Sequence, residues 1–325
     1  CGSYGCSSGA KGSSRAALLD RAIQNANCRI VADAKVYALS SDNTGKVTAA
    51  RYYDKSGQAQ AITARTFVVA CQAIETSRLL LASTGPGHPH GLGNNHGQVG
   101  KNLVFSAGGS GTGKFIYSKL DKSKADRLKL RGPFVNRGLQ DWYIIDDPKF
   151  GRRMKGGTID FLLSHPNPIA RALRQKWDDD GWLVWGKELK TQLHANFTDH
   201  QVLKFEVFND WLPTDNCFVS LDSKVKDRWG SNVAKVRIGY HEHDLKVGEY
   251  LSLKAVDVLY QMGAEDIVYG VSGSPPANLV AGGCRFGRDI STSVLDADCR
   301  VHDAENLYIT DGSFMPTGGS VPYTW

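Results

Sequence analysis

Nowhere in the 325 residues is there an apolar run near the roughly 18 residues that a membrane-spanning helix needs. The longest runs, such as Phe67-Val68-Val69-Ala70-Cys71, are of strand length. An excess of one charge is also lacking: 39 Lys and Arg face 33 Asp and Glu, and the surplus of +6 is interleaved with acid, so nothing calls for nucleic acid. Glycine is plentiful, at 35, but without a three-residue period, which excludes a collagen-like chain. There is no internal repeat and no low-complexity tract. Seven scattered cysteines (1, 6, 28, 71, 217, 284 and 299) exclude a disulfide scaffold. Only Cys1 and Cys6 lie close enough in sequence to suggest a local metal or redox role. An initiator Met and a signal peptide are missing too, and the chain stops at Trp325 after a Gly/Ser/Pro turn, so it reads as an internal piece of a longer protein or a processed chain. What is present is ordinary globular material, 41% hydrophobic and 22% charged. The length suits two units sharing one core, or one large domain.

Residues 1–14, CGSYGCSSGAKGSS, read as a loop, with Ser14 placed to cap a helix over 15–27 whose inner face carries Ala16, Leu19, Ile23 and Ala26. Strands are expected over 28–39, 46–53 and 62–71, joined by the polar turns Ser41–Gly45 and Asp54–Gln58. A helix over 74–82 comes next, then a Gly/His-rich loop to about 101. Residues 104–243 read mainly as strands, clearest at 157–163, 202–208, 218–221 and 233–240. A long helix over 244–262, a short strand at 267–270 and a strand at 307–309 complete the expectation. The outer segments are mixed α/β and the centre antiparallel, which suggests two interleaved domains.

Four motifs are weighed against plainer accounts. Gly108-Gly109-Ser110-Gly111-Thr112-Gly113-Lys114 has the G-x-x-x-x-G-K spacing of a phosphate loop. Phe115 stands where a hydroxyl must hold Mg²⁺, and the residues after it read as strand, so no helix terminus receives phosphate. A glycine-rich turn is the better account, and the NTPase class is rejected. His88, His90 and His96, and the pair His241 and His243, lack a third ligand at metal spacing, so surface or hydrogen-bonded histidines are preferred to zinc. The sequon Asn196-Phe197-Thr198 is expected by chance. The strand ending Leu307-Tyr308-Ile309-Thr310-Asp311-Gly312-Ser313 carries more weight. Ligands of α/β sheets sit at the carboxyl ends of strands, an Asp there can accept from ribityl or ribose hydroxyls, and Gly312 permits close approach. Alone, it is also consistent with an ordinary strand-to-turn junction.

In chain order the sequence has a strand leading into AIETSRLLLAS, then GQVGKNL, GGCRFGRDISTSVLD and NLYITDGSFMPTGGSVPYTW. This order resembles the glucose–methanol–choline (GMC) family of FAD-dependent oxidoreductases over about residues 1–105 and 240–325. Residues 73–83 resemble the family's second signature, with Gln72 and Ser77 where Gly or Ser and Pro are commoner. The opening GCSSGAKGSS is similar to the bacterial multi-subunit sugar and polyol (gluconate, fructose, glucose) dehydrogenases. The resemblance implies an α/β (α+β) fold, a Rossmann-like FAD-binding domain with an inserted antiparallel-sheet substrate domain. Its expected pieces are 1–105 and 275–325 for FAD, and 106–274 for substrate. Residue by residue, it implies Val36 beside the adenine, Ala70 and Cys71 at the strand end passing the cofactor, Asp311 and Gly312 near the ribityl chain and pyrophosphate, and Thr324 in the turn past the flavin ring. The family's G-x-G-x-x-G fingerprint is absent and would lie upstream of Cys1.

The catalytic pair is where this chain departs. The family has a His about six residues before the Arg of its G-T-C-R-M-G motif, and a His or Asn in the closing turn; a neutral imidazole there takes the hydroxyl proton. Here Asn278 and Leu279 precede Arg285, and the closing turn offers Ser320-Val321-Pro322-Tyr323. Asn278 and Ser320 are therefore the positional candidates, although Asn can hydrogen-bond a hydroxyl but cannot act as a base. Either the base comes from elsewhere, with His241 or His243 as candidates, or alcohol oxidation has been lost. In the resembling dehydrogenases, cysteines of the opening loop ligate an iron–sulfur cluster; Cys1 and Cys6 are too few alone, and a disulfide or two free thiols stands as an equal alternative. The expectation is thus an FAD-dependent enzyme oxidising a CH–OH group of a sugar or polyol. A small subunit and a cytochrome acceptor are its expected partners, and its expected location is periplasmic or secreted. The alternative is a catalytically disabled structural subunit of a larger complex.

Overall fold

Alternating apolar and polar residues between Lys35 and Thr63 close into a three-stranded antiparallel meander in the computed structural model, with strands Lys35–Ser41, Val47–Tyr53 and Ala59–Thr63. The structure describes residues 12–25, 27–106, 108–129, 136–163, 167–178, 180–274 and 279–322. Asp42 makes the first turn by accepting from the amides of Thr44 and Lys46, and Asp54 makes the second by accepting from Ser56 and Gln58. The chain divides into two compact units, one of residues 30–107, 209–244 and 273–325, the other of 1–29, 108–208 and 245–272.

The first unit contains the meander, a parallel pair of strands, Phe67–Val69 and Leu307–Ile309, and the helix Ala73–Ala82. Its main core gathers Val47, Leu79, Leu80, Leu295, Leu307 and Ile309, all nearly or fully buried. Burying each Leu or Ile stabilises by on the order of 1.5–3 kcal/mol. A second cluster, around Leu103, Phe105, Trp211 and Val219, packs the antiparallel strands Phe218–Lys226 and Asn232–Arg237 and the short pair Val104–Phe105 with Val280–Ala281.

The other unit is built on a five-stranded sheet in the order Glu265–Val271, Gly109–Ile116, His200–Asn209, Gly157–Leu163, Asn136–Leu139. The helix Glu242–Gln261 contributes Val247, Leu251, Ala255 and Leu259, a buried stripe at four-residue spacing, to a core with Phe115, Ile159 and Phe205. The glycine run at 108–114 is therefore strand rather than turn. A side chain at Gly111 would collide with the Phe205 ring and the Val268 carbonyl, so glycine is required where the sheet's own core crosses the strand. A short 3₁₀ turn at Tyr117–Lys119 comes after the strand, with no helix to cradle phosphate.

Other expectations need correction. The segment 15–27 forms a π-type turn at Arg15–Leu19 and a single helical turn at Asp20–Ile23; Ser14 makes no side-chain cap, and Leu19 and Ile23 are exposed. Ala26 lies outside the described residues. The first strand starts at Lys35 rather than 28. The expected strand 62–71 is two: Ala59–Thr63 belongs to the meander, and after a break at 64–66 Phe67–Val69 pairs in parallel with Leu307–Ile309. The central segment also carries helices at Lys122–Lys129, Pro168–Arg174 and Gly186–Thr198. No helix among the described residues is long and apolar enough to cross a membrane.

Candidate active site

The only parallel strand pair among the described residues ends at Val69 and Ile309, and both chains turn there. Thr310 continues the ladder by donating its amide to the Val69 carbonyl. The next residue, Asp311, organises the junction. One of its carboxylate oxygens accepts from the Ser313 amide at 2.8 Å; the other accepts from the Gln72 amide at 3.1 Å and from the Thr76 hydroxyl. Thr76, fully buried on the helix Ala73–Ala82, also accepts from the Cys71 amide at 3.1 Å. One carboxylate thereby ties the end of one strand to the start of the helix that succeeds the other.

Gln72 is the strained element of this junction. Its backbone lies at φ 77°, ψ 151°, a region that suits glycine and costs other residues on the order of 1–3 kcal/mol. The side chain offsets part of that cost by accepting from the Ile74 amide at 3.0 Å as the helix N-cap. Ala70, Cys71 and Gln72 are exposed, so the strand end presents a small, open rim beside Asp311. The Cys71 thiol is pushed up by partial burial of its sulfur and by the Asp311 carboxylate.

On the other side of Asp311, Gly282-Gly283-Cys284 threads past the turn. The Gly282 amide donates to the Gly312 carbonyl and the Cys284 amide to the Ser313 carbonyl. Side chains at Gly282 and Gly283 would run into the Asn102 carbonyl and the Ser77 hydroxyl, and both residues have positive φ. Cys284 is fully buried 3.8 Å from the Ser77 hydroxyl, and burial pushes its thiol up to about 12. Gly312 itself is half-buried, and its amide has no partner among the described residues. The junction therefore offers a free amide and a missing side chain beside a fixed carboxylate.

The closing turn is held separately. Ser320 is fully buried with φ 52°. Its amide donates to Asp210 Oδ1 at 2.8 Å, and its hydroxyl accepts from the Asp210 amide at 3.2 Å. Ser106 donates its hydroxyl to the Val321 carbonyl at 3.2 Å and its amide to the Leu279 carbonyl at 3.3 Å. The segment carrying Leu279 and the closing turn thus converge on Ser106. Ser320 serves here as half of a reciprocal clamp with Asp210.

Of the residues singled out from sequence, the structure brings together Ala70, Cys71, Asp311 and Gly312 at the strand ends. Val36 lies elsewhere in the same unit, in the meander beside a bulge, packed against the core. Asn278, Thr324, Cys1 and Cys6 lie outside the described residues. His241 and His243 stand at the start of the helix Glu242–Gln261 rather than on a strand; the His241 amide donates to Asp244 Oδ2 at 2.8 Å. Among the described residues no group of three His, Cys, Asp or Glu side chains could hold a metal ion. Thr76 and Asp210 are the functional positions that sequence reading misses. Thr76 lies within the 73–83 stretch but nothing there marks it out, Asp210 belongs to no motif, and each gains its role from a partner 235 and 110 residues away respectively.

Two family models described as GMC oxidoreductase match the chain, one over residues 1–106 and the other over 213–325. Paromamine 6'-oxidase of Streptomyces fradiae is 30% identical over 99% of this chain and 54% of its own length. The fructose dehydrogenase large subunit of Gluconobacter japonicus is 27% identical over 91% of this chain and 51% of its own length. The chain thus spans about half the length of these relatives. Among solved structures, pyridoxine 4-oxidase from Mesorbium loti superposes with a TM-score of 0.55 at 16% identity, covering 95% of this chain and 58% of that one. These matches give no support to an iron–sulfur cluster.

Proposed function

The chain belongs to the GMC oxidoreductase family, and on that premise we propose that it oxidises a CH–OH group of a sugar or polyol, with FAD as the hydride acceptor and a protein as the onward electron acceptor. The observation that carries the reading is the Asp311–Gly312 junction at the ends of the parallel strands. Its residues fit FAD. Gly312 has no side chain and a free amide, Asp311 is held rigid by three donors, and the rim from Ala70 to Gln72 is open. When bound, FAD supplies a two-electron acceptor that protein side chains lack.

What this chain's residues contribute is position and proton transfer. Asp311 presents fixed acceptor oxygens to cofactor hydroxyls, and Thr76 keeps that carboxylate from rotating. The Asp210–Ser320 clamp holds the closing turn, which the family resemblance runs past the reacting ring. Loss of hydride from the substrate carbon requires its hydroxyl proton to go to a base. The sole histidine between 279 and 322 is His302, whose Nε2 lies 2.9 Å from the Ser293 hydroxyl. We assign the base to His241 or His243. Asp244, which accepts from the His241 amide, also accepts from the Leu212 amide at 3.0 Å, two residues from the clamp.

A companion subunit is proposed from likeness to the fructose dehydrogenase large subunit, and the protein acceptor and a periplasmic or secreted location are proposed from the family resemblance. The lack of a histidine beside Asn278 favours one rival, a GMC-fold subunit that no longer oxidises alcohols. Steady-state oxidation of aldoses and polyols by the full-length protein, measured with a dye acceptor and with oxygen, separates them. Turnover with dye but not oxygen supports the reading, and loss of turnover in H241A or H243A identifies the base. No turnover with any alcohol overturns it in favour of the rival.

A further inference from the structure

Gln72 holds a backbone conformation that its own side chain makes costly. A glycine would adopt φ 77°, ψ 151° without strain. Capping the helix does not account for the choice, because glycine caps helices nearly as well as polar residues do. Strain of this kind gathers at functional positions, which asks what a glutamine gives that a glycine cannot.

The cap bond itself fixes what the side chain offers. A backbone amide can only donate, so the atom that meets the Ile74 amide at 3.0 Å is Oε1. The other half of the group is Nε2, which carries two N–H donors and accepts nothing. Nε2 has no partner among the described residues, and Gln72 is exposed on the open rim at the strand end. One side chain thus closes the helix with its oxygen and keeps a donor at the rim with its nitrogen.

The neighbouring groups say what that donor would meet. The Gln72 amide donates to Asp311 Oδ2, so donor and carboxylate belong to one junction. Charge at the rim is mainly negative: besides burial, Asp311 and Glu75 both raise the Cys71 thiol, opposed only by Arg78, itself paired with Glu75 at 2.7 Å. An anionic phosphate is poorly suited to such surroundings. Hydroxyls are well suited, since each can donate to a carboxylate or accept from an amide, and adjacent hydroxyls can do both.

We infer that Gln72 Nε2 donates a hydrogen bond to a hydroxyl of the FAD, which makes Gln72 a cofactor-binding residue beside Asp311. This rests on the reading of the chain as an FAD enzyme, and it accounts for a strained residue that the fold does not require.

The test measures FAD affinity and urea unfolding of the full-length protein stripped of flavin, for the wild type, Gln72→Gly and Gln72→Glu. Gln72→Gly removes the donor and relieves the backbone, so its Kd for FAD should rise about threefold or more, as for one hydrogen bond, while its flavin-free urea midpoint stays at or above that of the wild type. Gln72→Glu keeps the cap and offers an acceptor to which a hydroxyl can donate, so it should bind FAD at least as well as Gln72→Gly. Competition by ADP, which has the ribose hydroxyls but no ribityl chain, assigns the group. An equal ADP affinity in wild type and Gln72→Gly places the bond on the ribityl chain, and an equal loss places it on the ribose. A smaller rise in Kd for Gln72→Gly, or a lowered flavin-free midpoint, overturns the inference while the FAD reading stands. So does a Gln72→Glu protein that binds FAD far more weakly than Gln72→Gly, the mark of an anionic acceptor. A wild type that binds no FAD overturns both.

Discussion

Replacing Asp311 with Ala probes the junction most severely. Three donors converge on its carboxylate, and two of them, the Thr76 hydroxyl and the Ser313 amide, belong to fully buried residues. Removing the acceptor leaves both unpaired at about 1–3 kcal/mol each, while the third donor, the Gln72 amide, lies on the exposed rim and can turn to water. The expected destabilisation of the unit is about 2–6 kcal/mol. Asp311→Asn keeps one acceptor oxygen, which serves Thr76 and Gln72 but presents its NH₂ to the Ser313 amide, so about half that loss is expected. Urea unfolding monitored by tryptophan fluorescence measures both, and flavin absorbance per polypeptide reports the site. Flavin content should fall in the order wild type, Asp311→Asn, Asp311→Ala. An Asp311→Ala protein within about 0.5 kcal/mol of wild type and carrying full flavin would refute the assignment of Asp311 as the organiser of the junction, since that is the spread of an ordinary surface change.

Gly111→Ala puts a methyl group against a backbone carbonyl and a core ring, so its unit should lose about 1–3 kcal/mol or more, seen as a lower urea midpoint. Maleimide should label Cys71 increasingly as pH rises and leave Cys284 untouched in the native protein, because Cys71 is exposed whereas the Cys284 thiol is buried and held up to about 12. Flavin-loaded protein should label at Cys71 more slowly than stripped protein. Asp54, held down to about 2 by Ser56, Gln60 and its turn amides, contributes stability that is present above the ordinary carboxylate range and lost as pH falls towards 2. Asp54→Asn should therefore flatten the acid limb of an unfolding profile, and an unchanged limb would show that the turn contributes nothing there.

The sequence patterns that could be read were those with local causes. The polar turns of the meander, the helix over Ala73–Ala82 and the long helix ending near Gly263 arise from turn residues and periodicity, and their observed boundaries fall within a few residues of expectation. Two of the errors share a cause, which is that tertiary partners overrode local pattern. Residues 62–71 look like one apolar strand, yet their pairing partners differ: Ala59–Thr63 joins the Val47–Tyr53 strand, whereas Phe67–Val69 joins Leu307–Ile309, which lies far along the chain. The glycines at 108–114 look like a turn because nothing in sequence announces that the Phe205 ring needs their space. At the site, Asp311 and Gly312 stand out because a hydrophobic strand runs straight into them. Thr76 looks like any helical threonine until the parallel pairing brings Asp311 to it, and Asp210 carries no sign that a serine 110 residues later will need holding.

The most direct test is anaerobic mixing of the full-length, flavin-containing protein with each of a panel of aldoses and polyols, while the visible flavin band is recorded in a single turnover. The account predicts that at least one of them bleaches the band and is converted to the corresponding carbonyl compound in equal amount. A band that persists with every alcohol, or a full-length protein that carries no flavin, would contradict it.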